Sequence, residues 1–402
     1  MLKRIVLAAG VLAAVLVARP VYMIATATPL YPQPQSAPSV TDSDPSPQWS
    51  EAVDRARQIV RTGLAEQNLP GLSVAVGVGG GIVWAEGFGW ADVETRAPVT
   101  PDTRFRIGTA STVLTSAAVG ALLEQGRLNL DEEIQAYVPE FPKKPSPVTL
   151  RQLMGHVAGV GTDSADERPL SRQRCERPVE GLQHFADDAL LFEPGTQYRH
   201  SKYGWILVSA AVEAEADQPF LAFMRDHIFQ PLGMDDTGAE SATEENPEAI
   251  GEDAEDPPPF RLVHELILKP WGIGGTKATS ATDPATLYSQ GFGAGPVLRH
   301  GLHVTHSRNL SCYAGSMAFF STASDLVRFG LAIDSGKLLQ PATVQLLETL
   351  QPLNSDGELR GRRVMSLMMF RERGIVVAVM SNISDADTSA LALKVAEAFA
   401  KQ

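Results

Sequence analysis

The sequence predicts an α+β fold in which strands from both ends of the chain build one antiparallel sheet. Two strand-like runs, Leu72–Val78 and Ile82–Phe88, follow a helical segment near the start, and another, Val376–Ser381, precedes the last helical segment. Between these runs, apolar residues recur mostly at spacings of three and four. The pattern therefore predicts a sheet flanked by helices, with a mostly helical lobe inserted between its early and late strands.

The elements follow in order along the chain. The first helix is expected over Ser50–Gln67, with Ser50 as its N-cap. Gly79-Gly80-Gly81 joins the two early strands as a hairpin, because glycine tolerates the positive φ of a tight turn. Near the end, a turn at Arg371–Gly374 separates a strand at Ser366–Phe370 from the last strand. The remaining helices are expected at Thr112–Glu124, Leu150–Gly155, Tyr203–Glu215, Phe220–Ile228, Ala323–Ile333, Ala342–Gln351 and Thr388–Ala400.

Residues 1–27 predict a signal peptide or a signal anchor. Lys3 and Arg4 precede an apolar run over 5–18, and Ala25-Thr26-Ala27 resembles a cleavage site. Both alternatives predict export to a periplasmic or extracellular location, with membrane contact through this segment if it stays uncleaved. Residues 28–49 are rich in Pro and Ser and predict a solvated linker, followed by one domain over 50–402. An acidic, Pro-rich stretch at about 235–259 predicts a flexible surface insertion.

Composition limits the classes of partner. The 402 residues carry a formal net charge of −13, which argues against nucleic acid because phosphate binding needs clustered Lys and Arg. Cys175 and Cys312 are the only cysteines, and they form either one disulfide or two buried thiols. His300, His303 and His306 are interpreted as loop histidines, so neither a metal nor an organic cofactor is predicted.

Seven short segments carry a resemblance to a known family. They are Phe105–Thr109, Glu124–Asp131, Tyr137–Pro142, Val148–His156, Phe192–Thr196, Pro231–Met234 and Ser321–Phe329. In order and spacing, the set resembles the β-lactamase-related family of class C β-lactamases, D-alanyl-D-alanine carboxypeptidases, esterases and mitochondrial β-lactamase-like serine proteases. The resemblance implies a β-lactamase/transpeptidase-like, penicillin-binding-protein-like fold. It also implies serine hydrolase chemistry from S-x-x-K at a helix start, Y-x-N, and K-T-G or H-x-G on an edge strand.

The three catalytic motifs of that family are altered in this chain. S-x-x-K falls on Thr109-Ala110-Ser111-Thr112 and Y-x-N on His200-Ser201-Lys202, whereas the segment for H-x-G looks deleted between Leu353 and Val364. By resemblance, the candidate catalytic positions are Thr109, Ser111, Thr112, His200 and Lys202, and the candidate substrate-binding residues are Tyr198, Ser201, Arg362 and Arg363. A structural alternative for Thr109 and Thr112 is capping of the helix that follows Gly108.

These changes favour an exported, catalytically impaired protein or pseudoenzyme that keeps a cleft for a peptide-like, ester or other small-molecule ligand. A threonine at Thr112 cannot act as the base that a lysine supplies. The alternative is an active serine/threonine hydrolase of amide or ester bonds, with Thr109 or Ser111 as nucleophile and His200 or Lys202 as base. A third hypothesis is a sheet damaged by the deletion, which a normally packed strand at Val364–Phe370 would exclude.

Overall fold

A central antiparallel sheet organises the computed structural model, which describes residues 22, 26–162, 170, 173–239, 284–290, 298, 300–305, 309–351, 355–359, 362–384 and 386–401. The strands in these ranges are β1 (Ser39–Thr41), β2 (Gly71–Val78), β3 (Gly81–Asp92), β4 (Ala97–Pro98), β5 (Phe105–Arg106), β6 (Gly238–Ala239), β7 (Tyr288–Gln290), β8 (Leu302–Val304), β9 (Phe319–Ser321), β10 (Ser355–Leu359), β11 (Arg362–Phe370) and β12 (Ile375–Ser381). The central sheet has the order β1-β3-β2-β12-β11-β10, and β4 pairs with β3.

The pairing of β2 with β12 joins the early strands of the chain to its late strands in one sheet. Val74 lies opposite Val379 in this antiparallel pair. The hairpin between β2 and β3 turns at Gly79 and Gly80, whose φ angles of 61° and 90° favour glycine. The predicted fold class, the hairpin and the assembly of the sheet from early and late strands are therefore confirmed.

Two helices cover one face of the sheet. The helices of the described residues are α1 (Ser50–Glu66), α2 (Ser111–Glu124), α3 (Leu150–Met154), α4 (Lys202–Ala216), α5 (Phe220–Phe223), α6 (Ala323–Asp334), α7 (Pro341–Glu348) and α8 (Thr388–Ala400). Helices α1 and α8 pack together, and α8 lies against β11 and β12. Buried Val60 and Val395 contribute to a core with Val74, Val76 and Val377 from alternating strand positions. The N-cap of α1 is Trp49 rather than Ser50, and no side chain caps it.

On the other face, helix α6 packs against β2, β3, β11 and β12, and the rest of the helical lobe lies on this side of the sheet. Helices α2 and α4 pack against each other and against the turn Ser311–Ser316. Trp205 of α4, Phe319 of β9 and Met365 of β11 are buried in this second core. Because β11 is packed in this way, with Val364 and Leu367 also buried, the hypothesis of a damaged sheet is wrong.

The stretch predicted as a solvated linker lies against the domain. The Tyr31 hydroxyl donates to the Pro70 carbonyl (2.6 Å), and the Tyr31 side chain is buried. Strand β1 pairs with β3, with Ser39 opposite Phe88. The prediction of a solvated linker is therefore wrong for these residues, because an aromatic anchor and an added strand hold them. Residues 1–21 and 23–25, most of the predicted signal segment, lie outside the described residues.

The beginning of the predicted acidic insertion is also held. Asp236 forms an ion pair with Arg104 (2.7 Å), and its amide donates to Asp325 (3.0 Å). Strand β6 then pairs with β9. The prediction of a flexible surface stretch is therefore wrong at 235–239, and residues 240–259 lie outside the described residues.

Cys175 and Cys312 form a disulfide across a sequence separation of 137 residues. Of the two alternatives for these cysteines, the structure shows the bonded pair. Across the described ranges, no helix combines the length and apolar character needed to cross a membrane.

Candidate functional site

The turn that carries Thr109 is fixed by backbone pairing on one side and by a glycine on the other. Strand β5 pairs with β9, and the Ile107 amide donates to the Phe319 carbonyl (3.1 Å). Gly108 then adopts a φ of 56°, a conformation that favours glycine, and a short helical turn over Gly108–Ala110 leads into α2. Thr109 is half-buried on this turn, directly before the helix.

Ser111 is a structural residue. Its hydroxyl donates to the Gly108 carbonyl (2.7 Å) and accepts the Phe319 amide (3.2 Å), and the side chain has no exposed surface. These two bonds tie the start of α2 to β9. The prediction of Ser111 as a nucleophile is not supported by this geometry, because its proton is already donated and no ligand can reach the oxygen.

Thr112 stands at the lysine position and is held by two partners. Its hydroxyl donates to the Thr109 carbonyl (2.8 Å) and accepts from the side-chain amide of Gln351, which follows α7. The other side-chain atom of Gln351, Oε1, is buried and has no partner among the described residues. The N-cap of α2 is Ala110, without a side-chain cap, so the capping alternative is wrong. Sequence reasoning missed Gln351, since its contact with Thr112 spans 239 positions.

The Y-x-N positions lie at the start of α4. Ser201 is the N-cap: its hydroxyl accepts the Gly204 amide (2.9 Å) and donates to the Gly161 carbonyl (2.6 Å). The side chain is buried and its hydroxyl caps the helix, so this geometry does not support the prediction that Ser201 binds substrate. His200 is exposed, and half-buried Lys202 begins the helix, its amide donating to the Thr162 hydroxyl (3.3 Å).

His156 lies beneath His200 and was not singled out by sequence reasoning as a site residue. The two imidazole rings stack with centroids 4.5 Å apart, and the exposed ring of Tyr198 meets His156 edge-on at 5.9 Å. The Ser201 amide donates to Nδ1 of His156 (3.1 Å). Burial, and then the charge of His200, lower the pKa of His156 from 6.5 to about 4, so this ring is neutral at pH 7.

The stacking of His156 on His200 could not be predicted from the sequence pattern, because it depends on the backbone conformation of His156. Its φ of 58° lies in the left-handed region, directly after α3 ends. Trp205 Nε1 lies 3.3 Å from Nε2 of His156, but a neutral imidazole has only one acceptor nitrogen. The Ser201 amide and the Trp205 indole therefore face the two ring nitrogens, of which the neutral ring accepts at one. The sequence signal available was the lone histidine after Gly155, which gives neither the backbone conformation nor the partners.

The sheet edge beside Thr109 is present. Strand β10 pairs antiparallel with β11 and lies against the turn Gly108–Ala110. A strand is therefore present at Ser355–Leu359, whereas the expected loss of the H-x-G motif itself stays a prediction. Arg362 and Arg363 begin β11, where they lie opposite Leu359 and Glu358. Their side chains lie outside the described part of the structure, so their binding role stays a prediction.

The predicted loop histidines have separate surroundings. The His300 ring contacts the Thr28 carbonyl (3.0 Å), and His303 is buried on β8, so it is a strand residue and not a loop residue. His306 is outside the described residues. Where side chains are described, no group of three or more His, Cys, Asp or Glu residues is placed to hold a metal ion.

Comparison with known proteins assigns the family. The β-lactamase family profile matches residues 56–367. The human serine β-lactamase-like protein LACTB, mitochondrial, is 29% identical in an alignment covering 50% of each chain, so this chain spans about half the length of the curated relatives it matches. EstCE1, a hydrolase with promiscuous acyltransferase activity, matches at TM-score 0.64 with 20% identity, covering 88% of this chain and 99% of its own.

A second solved structure gives the same result. The D-amino acid amidase from Ochrobactrum anthropi SV3 has TM-score 0.64 and 19% identity, again covering 88% of this chain and 99% of its own. Both likenesses show a shared fold in which helices cover an antiparallel sheet. Since the profile also spans more than half of the sequence, the chain belongs to the β-lactamase family, within the serine hydrolase superfamily.

Proposed function

We propose that this protein keeps the cleft of its family as a binding site and has lost acyl transfer. The observation that carries the proposal is the state of Thr112, whose hydroxyl is engaged by the Thr109 carbonyl and the Gln351 amide. Neither a threonine hydroxyl nor a carboxamide takes up a proton near neutral pH. The position that should activate the Thr109 hydroxyl therefore holds no base.

His156 does not replace that base. Its pKa of about 4 makes it a weak proton acceptor, and its acceptor nitrogen faces an N–H donor of the protein. His200, stacked on it, and Lys202 are the remaining candidates, as in the alternative of an active hydrolase with a rebuilt centre. That alternative requires one of them to reach the Thr109 hydroxyl within hydrogen-bonding distance, about 3 Å.

The ligand we propose is a peptide-like or ester-bearing small molecule. Strand β10 supplies a sheet edge next to the Thr109 turn, and the exposed ring of Tyr198 supplies an apolar face with a hydroxyl. Backbone groups at a sheet edge pair with an extended amide, and an aromatic ring contacts planar groups. The fold neighbours include a hydrolase and a D-amino acid amidase, which is consistent with amide or ester ligands.

We further propose that the chain is exported. The charged start and apolar run of residues 1–18 support this location, and so does the bond between Cys175 and Cys312, since disulfides persist mainly in oxidising compartments. Fractionation of cells that express the full chain tests the location. Recovery of the chain only in the cytoplasm, with free thiols, would contradict export.

Covalent labelling tests the loss of chemistry. The full chain is treated with a fluorescent β-lactam and with a fluorophosphonate, and intact mass is measured, with an active β-lactamase labelled in parallel to check the reagents. We expect no adduct on the folded protein. An adduct that disappears in Thr109→Ala would establish a working nucleophile and favour the rebuilt hydrolase, and its loss in either His200→Ala or Lys202→Met would identify the base.

A further inference from the structure

The turn Ser311–Ser316 lies between the disulfide and the start of α2. Cys312 belongs to this turn and is bonded to Cys175, which precedes the helical turn Pro178–His184. The Ser311–Ser316 turn packs against α2, α4 and the turn that carries Thr109. It is therefore in direct contact with the disulfide and with the turn Gly108–Ala110. We call that turn, together with the start of α2, the floor of the cleft.

Hydrogen bonds connect the far end of this turn to α2 and α4. The Gly315 carbonyl accepts the Thr115 hydroxyl (2.9 Å), and the Gly315 amide donates to the Ser209 hydroxyl (3.1 Å). Four residues on, the Phe319 amide donates to Ser111, whose own proton goes to the Gly108 carbonyl. The path from the disulfide to Gly108 is thus continuous and consists of buried groups.

Ala314 is strained between these two attachments. Its φ of 42° and ψ of −130° form a conformation that residues with a Cβ rarely adopt, and its side chain is buried. Such strain persists only where the surrounding structure holds the backbone on both sides. Here the disulfide at Cys312 holds one side and the two hydrogen bonds of Gly315 hold the other.

We propose that the Cys175–Cys312 bond is a redox-sensitive latch that assembles the floor of the cleft. When both thiols are oxidised by thiol–disulfide exchange with a disulfide-bearing oxidant, they lose two electrons and two protons to it, and one S–S bond forms. The bond then holds Ala314 in its strained conformation. When a dithiol reverses the exchange, Ala314 relaxes, the Ala314–Gly315 peptide turns, and the bonds of Gly315 to α2 and α4 break.

The compartment fits this sequence of events. Both cysteines are buried, Cys175 at 5% and Cys312 at 0% exposed, so exchange requires a local opening that brings one of the two sulfurs to the attacking thiolate. In a reducing compartment the floor of the cleft would then lack the hydrogen bonds of Gly315 to α2 and α4. These bonds would form after export, when the disulfide forms. That this floor serves ligand binding rests on the proposed function; the latch itself does not.

Hydrogen–deuterium exchange of the full chain tests the latch without any activity measurement. Peptides covering residues 311–319 and 108–118 are compared in oxidised protein and in protein reduced with dithiothreitol, with peptides from β2 and β3 as reference. We expect reduction to speed exchange in the first two groups by about tenfold, the scale of a relaxed backbone strain, and to leave the reference peptides unchanged. No change, or an equal rise everywhere, would overturn the proposal.

Two variants sharpen the result. Cys175→Ser combined with Cys312→Ser should show the exchange pattern of the reduced protein and should not respond to dithiothreitol. Ala314→Gly removes the strain, because glycine adopts this conformation freely, so reduction should change its exchange by less than about twofold. An Ala314→Gly response equal to that of the original chain would overturn the latch. A covalent adduct in the labelling experiment would contradict the proposed function and leave the latch standing.

Discussion

The helices on the two faces of the sheet make different contacts. On the α1/α8 face, Leu391 of α8 meets Gly63 of α1 with the end of its side chain, and polar contacts join the helices to the sheet: Arg57 with buried Glu86 (2.7 Å) and Thr388 with buried Ser366 (2.8 Å). On the α2/α4 face, buried hydroxyls of Ser111, Thr115 and Ser209 join helices to neighbouring turns. The contact between α1 and α8 at Gly63 is therefore apolar, whereas the contacts of α2 and α4 with the turn Ser311–Ser316 and with β9 include hydrogen bonds of buried hydroxyls.

This difference explains why the altered motif residues are poor candidates for catalysis. A buried hydroxyl needs a partner, because leaving it unpaired costs about 1–3 kcal/mol. At Ser111 and Thr112 those partners are backbone and amide groups of the protein itself. The hydroxyls near the Thr109 turn therefore hold that turn and the start of α2 in place. Substitutions that compare the two faces test this view.

The largest difference in the free energy of unfolding is expected between Gly315→Ala and Gly63→Ala. A Cβ on Gly315 would lie within 2.8 Å of Thr115 Oγ1, Phe220 Cζ and Ser209 Oγ, which buried contacts hold in place, so we expect a loss of about 3 kcal/mol or more. A Cβ on Gly63 overlaps one methyl of Leu391, and the next atom is 3.4 Å away. Rotation of that side chain relieves the overlap.

Gly63→Ala should therefore change stability by less than about 1 kcal/mol, since alanine also favours the helix. Urea unfolding of both variants, followed by circular dichroism, gives the two free energies of unfolding. Equal losses at the two positions would show that the α1/α8 face is as rigid as the α2/α4 face, and the contrast drawn above would fail.

The second prediction concerns acid stability and rests on His156, which is buried beneath His200. The pKa of His156 is about 4 in the folded protein and 6.5 when exposed, so the unfolded chain binds its proton first as pH falls. Stability should be unaffected above pH 6.5 and should decrease between pH 6.5 and 4. The full decrease is on the order of 3 kcal/mol, because one pKa unit corresponds to about 1.4 kcal/mol.

His156→Asn is the matched control. Asparagine tolerates the left-handed backbone at φ 58°, and its side-chain oxygen can accept the Ser201 amide without titrating. The free energy of unfolding of both proteins is measured from pH 7 to pH 4. The variant should lose less stability than the original chain over this interval, and parallel curves would show that His156 does not carry the acid sensitivity.

Local sequence patterns could predict some elements of the fold but not the contacts between distant residues. The hairpin and the last strand were predictable, because apolar strand runs and a glycine turn are local signals. Strands β1 and β10 were not, since Ser39–Thr41 is too short for a pattern and Ser355–Leu359 contains Asp and Gly, which are rare in strands. The roles of His156 and Gln351 depend on contacts 45 and 239 positions apart, which no local pattern contains.

The smallest difference in stability is expected between alanine substitutions of two serines that have no exposed surface. Ser111 accepts the Phe319 amide and donates to the Gly108 carbonyl, whereas the Ser73 hydroxyl on β2 has no hydrogen-bond partner among the described residues. Ser111→Ala removes the acceptor of the buried Phe319 amide and should cost about 2 kcal/mol, while Ser73→Ala removes an unpaired hydroxyl and should be neutral or slightly stabilising. Thermal and urea unfolding measure both. If Ser111→Ala were as neutral as Ser73→Ala, the Ser111 hydroxyl would not be a structural tie, and its candidacy as a nucleophile would return.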